Sequence, residues 1–134
     1  MKHLRQTFLL CLLWMIGMAT HAEEIPNNEI WYTASEKLNE TTDQYSAGLH
    51  TNAFNATMTS HEFNNGKGII TFDANVANIG EHAFYFCSSL TSIEIPNSVT
   101  SIGGCAFYGC SSLTSIEIPN SVTSIGECAF YGCM

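Results

Sequence analysis

A unit of 23 residues starts at Asn75, starts again at Ser98 and starts a third time at Ser121, from where it runs to the last residue. The first two copies agree at 17 of 23 positions, and the 14 residues of the third agree with the second at 12. A fixed period between about 20 and 50 residues marks a stacked array rather than a closed globule. Within the unit the apolar spacing changes midway. Ile93 and Ile95 are two apart, which puts both on one face of a short strand and turns Ser92 and Glu94 the other way. Pro96 and Asn97 end the strand, because proline cannot donate to a ladder and asparagine favours a turn. Val99, Ile102, Ala106, Phe107 and Cys110 then recur at three or four, the spacing of a loose helical or 3₁₀ return path. One strand and one return make a coil. A single coil cannot cover its own apolar side, so the coils must stack around a shared core.

The strand, the Pro96-Asn97 turn, the Ile102-Gly103 pair and the Ala106-Phe107-x-x-Cys110 ending occur together and in register. This pattern resembles the leucine-rich repeats of the BspA type, known from surface proteins of Bacteroides, treponemes and some mucosal protozoa. The resemblance covers residues 67–134 and implies a solenoid of short parallel β-strands with helical or irregular return segments. It also implies an adhesive or protein-binding role toward host extracellular matrix proteins. Fold and function are separable, so the resemblance speaks to architecture more directly than to activity.

The rest of the chain divides accordingly. Residues 1–22 have the parts of a secretory leader: Lys2 and Arg5, an apolar run from Phe8 to Met18, and Thr20-His21-Ala22 as a small-x-small cleavage site. That run is shorter than the ~20 residues of a membrane span, so no transmembrane segment is expected in the mature chain. Cys11 sits inside the apolar run behind Leu10, which is not a lipobox setting. Residues 23–66 have no period and read as an N-terminal cap. In it Ile30-Trp31-Tyr32-Thr33 is a strand, and Asn65-Gly66 turns a hairpin between His61-Glu62-Phe63 and Gly68-Ile69-Ile70-Thr71-Phe72. Counting back one period, Ile70 falls on Ile93 and Val76 on Val99, so this last strand is expected to be the first rung of the stack. The stretch 39–60 is polar and has no assignable element. The third copy breaks off in mid-coil, which predicts a fragment of a longer array, or end-to-end self-association through an uncapped coil that exposes Ile125, Ala129 and Phe130.

The net charge is −8 and becomes about −10 when Lys2 and Arg5 leave with the leader, which contains no carboxylate. This argues against nucleic acid and against a polybasic membrane contact. Five cysteines remain in the mature chain, and their spacing follows the repeat. Cys87, Cys110 and Cys133 share one slot and are expected to be reduced, buried residues. Cys105 and Cys128 share a second slot, with His82 in its first copy, and the sequence leaves open whether they bridge. The pairs Cys105-x4-Cys110 and Cys128-x4-Cys133 have the look of zinc ligands, yet the period alone generates that spacing, so neither metal nor cofactor is expected. His50, His61 and His82 are the only mature histidines, and none is placed for a nucleophilic pair. The carriers of function are then the outward strand positions Ser92, Glu94, Ser115 and Glu117, whose stacked carboxylates favour a cation or a basic partner. An exported, non-enzymatic adhesive module is the expectation. The alternative is a set of spacer repeats from a larger surface protein whose functional domain lies elsewhere.

Overall fold

The computed structural model describes residues 24–134 and, among them, contains eleven short strands and no helix. The strands are β1 (Glu29–Ala34), β2 (Glu40–Thr41), β3 (Gly48–His50), β4 (Met58–Asn64), β5 (Lys67–Phe72), β6 (Asn78–Ile79), β7 (Phe84–Tyr85), β8 (Leu90–Glu94), β9 (Ser101–Ile102), β10 (Ser115–Glu117) and β11 (Ser124–Ile125). The expected leader and Cys11 lie outside the described residues.

The 23-residue period sets the register on each side of the coil. On the first side β10 pairs parallel with β8, Ser115 opposite Ser92 and Glu117 opposite Glu94. On the second, β6, β9 and β11 form a parallel ladder with Ile79, Ile102 and Ile125 aligned. On the third, N–H groups donate across coils: Phe84 to the Ala106 carbonyl and Phe107 to that of Ala129, both at 2.7 Å.

That third side corrects the expected helical return. Its N–H groups alternate between a partner three residues back, such as Tyr85 to the His82 carbonyl (3.0 Å), and a partner on the next coil, such as Phe86 to that of Tyr108 (2.7 Å). A helix spends every N–H within itself. Here alternate groups are taken by the stack, and left-handed φ values at His82, Cys105 and Cys128 prevent the turns from continuing. Spacing of three or four therefore marked inward-facing residues of tight turns.

The cap also departs from expectation. The β4–β5 hairpin forms around Asn65 (φ 49) and Gly66 (φ 80), the paired positive φ of a type I′ turn. However, β5 is not the rung beneath β8. The sheet order is β10-β8-β1-β5-β4, with β1 antiparallel to both neighbours. Ile30 pairs with Ile70 and Tyr32 with Ile93, so the periodic partners are held one strand further apart on this side than on the second. Alternation explains the fit: Ile30, Tyr32 and Ala34 point inward, and both edges of β1 are taken.

The stretch that resisted assignment closes the remaining two sides. β3 pairs antiparallel with β7, Leu49 opposite Phe84, and Phe54 bridges to Ile79. The Gly80 N–H donates to the Ala53 carbonyl at 2.6 Å. The core is a column of like on like. Phe84, Phe107 and Phe130 stack at 5.1 and 5.3 Å between ring centroids, within 6° of parallel. Ile93 and Phe107 are buried, whereas Ile116 and Phe130 on the last coil are half-buried. Ala129, expected at the surface, is buried; Ile125 is 50% exposed.

Candidate functional site

The four outward residues come together. Ser92, Glu94, Ser115 and Glu117 line one groove of about 750 Å³ together with Glu24 and Pro96. Asn97, also in the lining, donates from Nδ2 to Glu24 Oε1 at 3.3 Å.

The inserted strand adds a residue that the repeat could not reveal. Trp31 lies directly opposite Glu94 on β8 and Ile69 on β5. Directly opposed residues share a face. One row across all five strands therefore reads Glu117, Glu94, Trp31, Ile69, Glu62, and the next reads Ser115, Ser92, Thr33, Lys67, Asn64. Trp31 is half-buried, and its indole Nε1–H donates to Glu29 Oε2 at 2.7 Å, which fixes the ring. Thr33 Oγ1 joins Ser92 Oγ at 2.6 Å and ties β1 to β8 on the open face. Alternation within Ile30-Trp31-Tyr32-Thr33 separates the indole from the core residues, but no local signal says which sheet the strand enters.

The other candidates are resolved by burial. Cys110 and Cys133 donate their thiols to the carbonyls of Phe84 (3.0 Å) and Phe107 (3.2 Å), one coil back. Burial pushes Cys110 up to about 12, with the neighbouring Cys133 adding to it, and burial also raises Cys87. All five cysteines among the described residues are free thiols. Alkylation of the native protein with iodoacetamide is expected to label the exposed Cys128 first and to spare Cys87 and Cys110 until unfolding, as peptide mass mapping would report. Early labelling of Cys110 would contradict a dry column. Among the described residues no group of three or more His, Cys, Asp or Glu side chains is placed to hold a metal ion.

His61 belongs to a polar network in the cap. Its Nδ1 lies 2.8 Å from Glu40 Oε1 and its Nε2 2.6 Å from the Tyr32 hydroxyl. With Glu40 ionised, Nδ1 carries the proton and Tyr32 donates to Nε2. The Leu38 N–H reaches the same hydroxyl at 3.5 Å. The imidazole is 1% exposed, so the arrangement has relay form but no access for a substrate. Burial holds His61 below the ordinary imidazole value; Glu40 opposes this and the nearby Lys37 reinforces it. Because the folded state resists a proton that the unfolded chain accepts, stability is full above about pH 6.5 and falls as pH drops below it. Thermal melts from pH 7.5 to 5.5 are expected to show that loss, and His61→Gln to flatten it. An unchanged slope in the variant would refute the assignment.

The family model described as a BspA type leucine rich repeat region, in six copies, matches residues 56–134. The chain belongs to this BspA-type leucine-rich repeat family. Among solved structures, this leucine-rich repeat chain is similar to a leucine-rich repeat protein from Bacteroides ovatus ATCC 8483, at 23% identity and a TM-score of 0.36, covering 73% of this chain and 32% of that one. It thus spans about a third of the length of that protein. No curated protein matches. Families of this type are generally non-enzymatic and suited to protein interaction or a surface role. Among the described residues no helix is long and apolar enough to cross a membrane.

Proposed function

We propose that this repeat protein is an exported, non-enzymatic binding module whose open sheet face takes a basic segment of a host or extracellular protein. The observation that supports this reading is the row Glu117, Glu94, Trp31, Ile69, Glu62, in which carboxylates lie on both sides of an orientated indole beside a groove. A lysine or arginine laid over the indole gains about 0.5–1 kcal/mol from the ring at an exposed site. Glu94 and Glu117 supply the counter-charge, and the chain's net charge of −8 steers such a partner inward. Surface-plasmon measurements against a panel of extracellular matrix proteins test this. Trp31→Ala is expected to weaken binding about 2- to 5-fold, the scale of losing about 0.5–1 kcal/mol. Glu94→Lys with Glu117→Lys should abolish it, and added salt should weaken the wild type. Binding indifferent to all three changes would remove the face from consideration.

A spacer role has its own support. Ser92 and Glu94 recur unchanged as Ser115 and Glu117, whereas a tuned recognition face usually varies from rung to rung. Failure to bind any matrix protein, with all variants folded, would favour this second reading. Association of copies along the open edge of β10 and β11, where Ile125 is half-exposed, is part of the first proposal and is read from the oligomeric state by light scattering.

A further inference from the structure

The two cysteine columns differ in chemistry. In the inner one, Cys110 and Cys133 spend their thiols on carbonyls of the preceding coil. In the outer one, Cys105 and Cys128 sit one above the other on the turn side, half-buried and exposed respectively. Their register is fixed on both flanks. Ile102 pairs with Ile125, the Cys105 N–H donates to the Glu127 carbonyl at 2.9 Å, and the Phe107 N–H to the Ala129 carbonyl at 2.7 Å.

Both residues have the same left-handed conformation, φ 52 and φ 56, so their side chains leave the backbone in the same direction. Rungs lie ~4.8 Å apart, inside the Cα separation of about 4.4–6.8 Å that a disulfide accepts. The Cβ atoms must close to ~3.8 Å, a movement assigned to the surface turn that follows Gly104, where an added Cβ would meet nothing nearer than the Glu127 carbonyl oxygen at 3.6 Å. In the first coil this slot holds His82, packed edge-on to Tyr85 at 4.8 Å, which confines the chemistry to coils two and three.

We propose that Cys105 and Cys128 are an oxidisable pair whose disulfide clasps the second coil to the third when the protein meets an organic disulfide. The Cys128 thiolate attacks one sulfur of RSSR, and RS⁻ leaves and takes a proton. The Cys105 thiolate then attacks the Cys128 sulfur and displaces the second RS⁻, which is protonated in turn. Two protein thiols lose two electrons and two protons, and RSSR is reduced to two RSH. Cys128 goes first because it is the more exposed. Burial, then the nearby Cys128, pushes the Cys105 thiol up, which disfavours Cys105 as the first nucleophile.

The test is to treat the native full chain with bis(2-hydroxyethyl) disulfide at pH 8.5 and to map the products by mass spectrometry. The expected product has lost two hydrogen masses, contains one peptide linking residues 105 and 128, and melts about 5–10 °C higher until dithiothreitol is added. Cys105→Ser should stop at a mixed disulfide on Cys128. A wild-type protein that retains the mixed disulfide, dimerises through Cys128, links Cys110 or Cys133, or melts no higher when oxidised would overturn the proposal.

Discussion

Phe107→Ala is expected to cost about 3–5 kcal/mol of stability, the range for removing a fully buried aromatic ring. Phe107 is sealed from solvent and sandwiched between Phe84 and Phe130, parallel to both. Its loss opens a void at the one level of the core where three coils meet. A small domain has roughly 5–15 kcal/mol in all, so this single truncation removes a large part of it. The comparison that isolates the stack is Phe130→Ala. Phe130 is half-buried and stacks on Phe107 alone, so its truncation should cost about half as much. Urea titrations followed by circular dichroism give both values. Equal losses at the two positions would mean that the column does not carry the coupling between coils.

Gly103→Ala is expected to destabilise by about 3 kcal/mol through overpacking and a lost ladder bond. A Cβ at Gly103 would lie 2.6 Å from the Glu81 nitrogen and 2.7 Å from the Gly80 carbonyl carbon, which are backbone atoms of the neighbouring coil. Relief requires the coils to part, and parting stretches the 2.7 Å bond from the Gly103 N–H to the Ile79 carbonyl. The adjacent Gly104 is the control. Its nearest neighbour would be the Glu127 carbonyl oxygen at 3.6 Å, an ordinary contact. Gly104→Ala should therefore be neutral or stabilising by about 0.4–1 kcal/mol, because it restricts the unfolded chain. Opposite signs at two consecutive glycines would be hard to obtain from any arrangement other than stacked coils. Matching losses would mean that coils one and two are not in backbone contact at Gly103.

Several features were legible because the physics that fixes them is local or periodic. The Asn65-Gly66 turn needs positive φ at two successive residues, and that residue pair supplies it. Proline and asparagine end the rung wherever they occur. The thiols of Cys110 and Cys133 were readable as core because their slot repeats in phase with Phe107 and Phe130. The returns were read as helical or irregular and the helical alternative failed, since an inward spacing of three or four is common to a helix and to a train of tight turns. Only the destination of alternate N–H groups, across to the next coil, distinguishes them. Of the open face, the carboxylate and serine stripe was visible and the indole at its centre was not.

The period by itself determined the rung register, since a 23-residue repeat can bury its apolar side only when like lies on like: Ser92 with Ser115, Ile79 with Ile102 and Ile125. Tertiary structure alone decided how the stack begins. β1 pairs with β8 across some sixty residues of chain, Trp31 to Glu94, and a pairing that distant leaves no trace in spacing or composition. Any inward-outward strand of suitable length satisfies the two edges of β5 and β8, so the choice of β1 rests on the fit of Tyr32 and its bond to His61 inside. That choice put Trp31 on the outside, beside the carboxylates on which the proposed function depends.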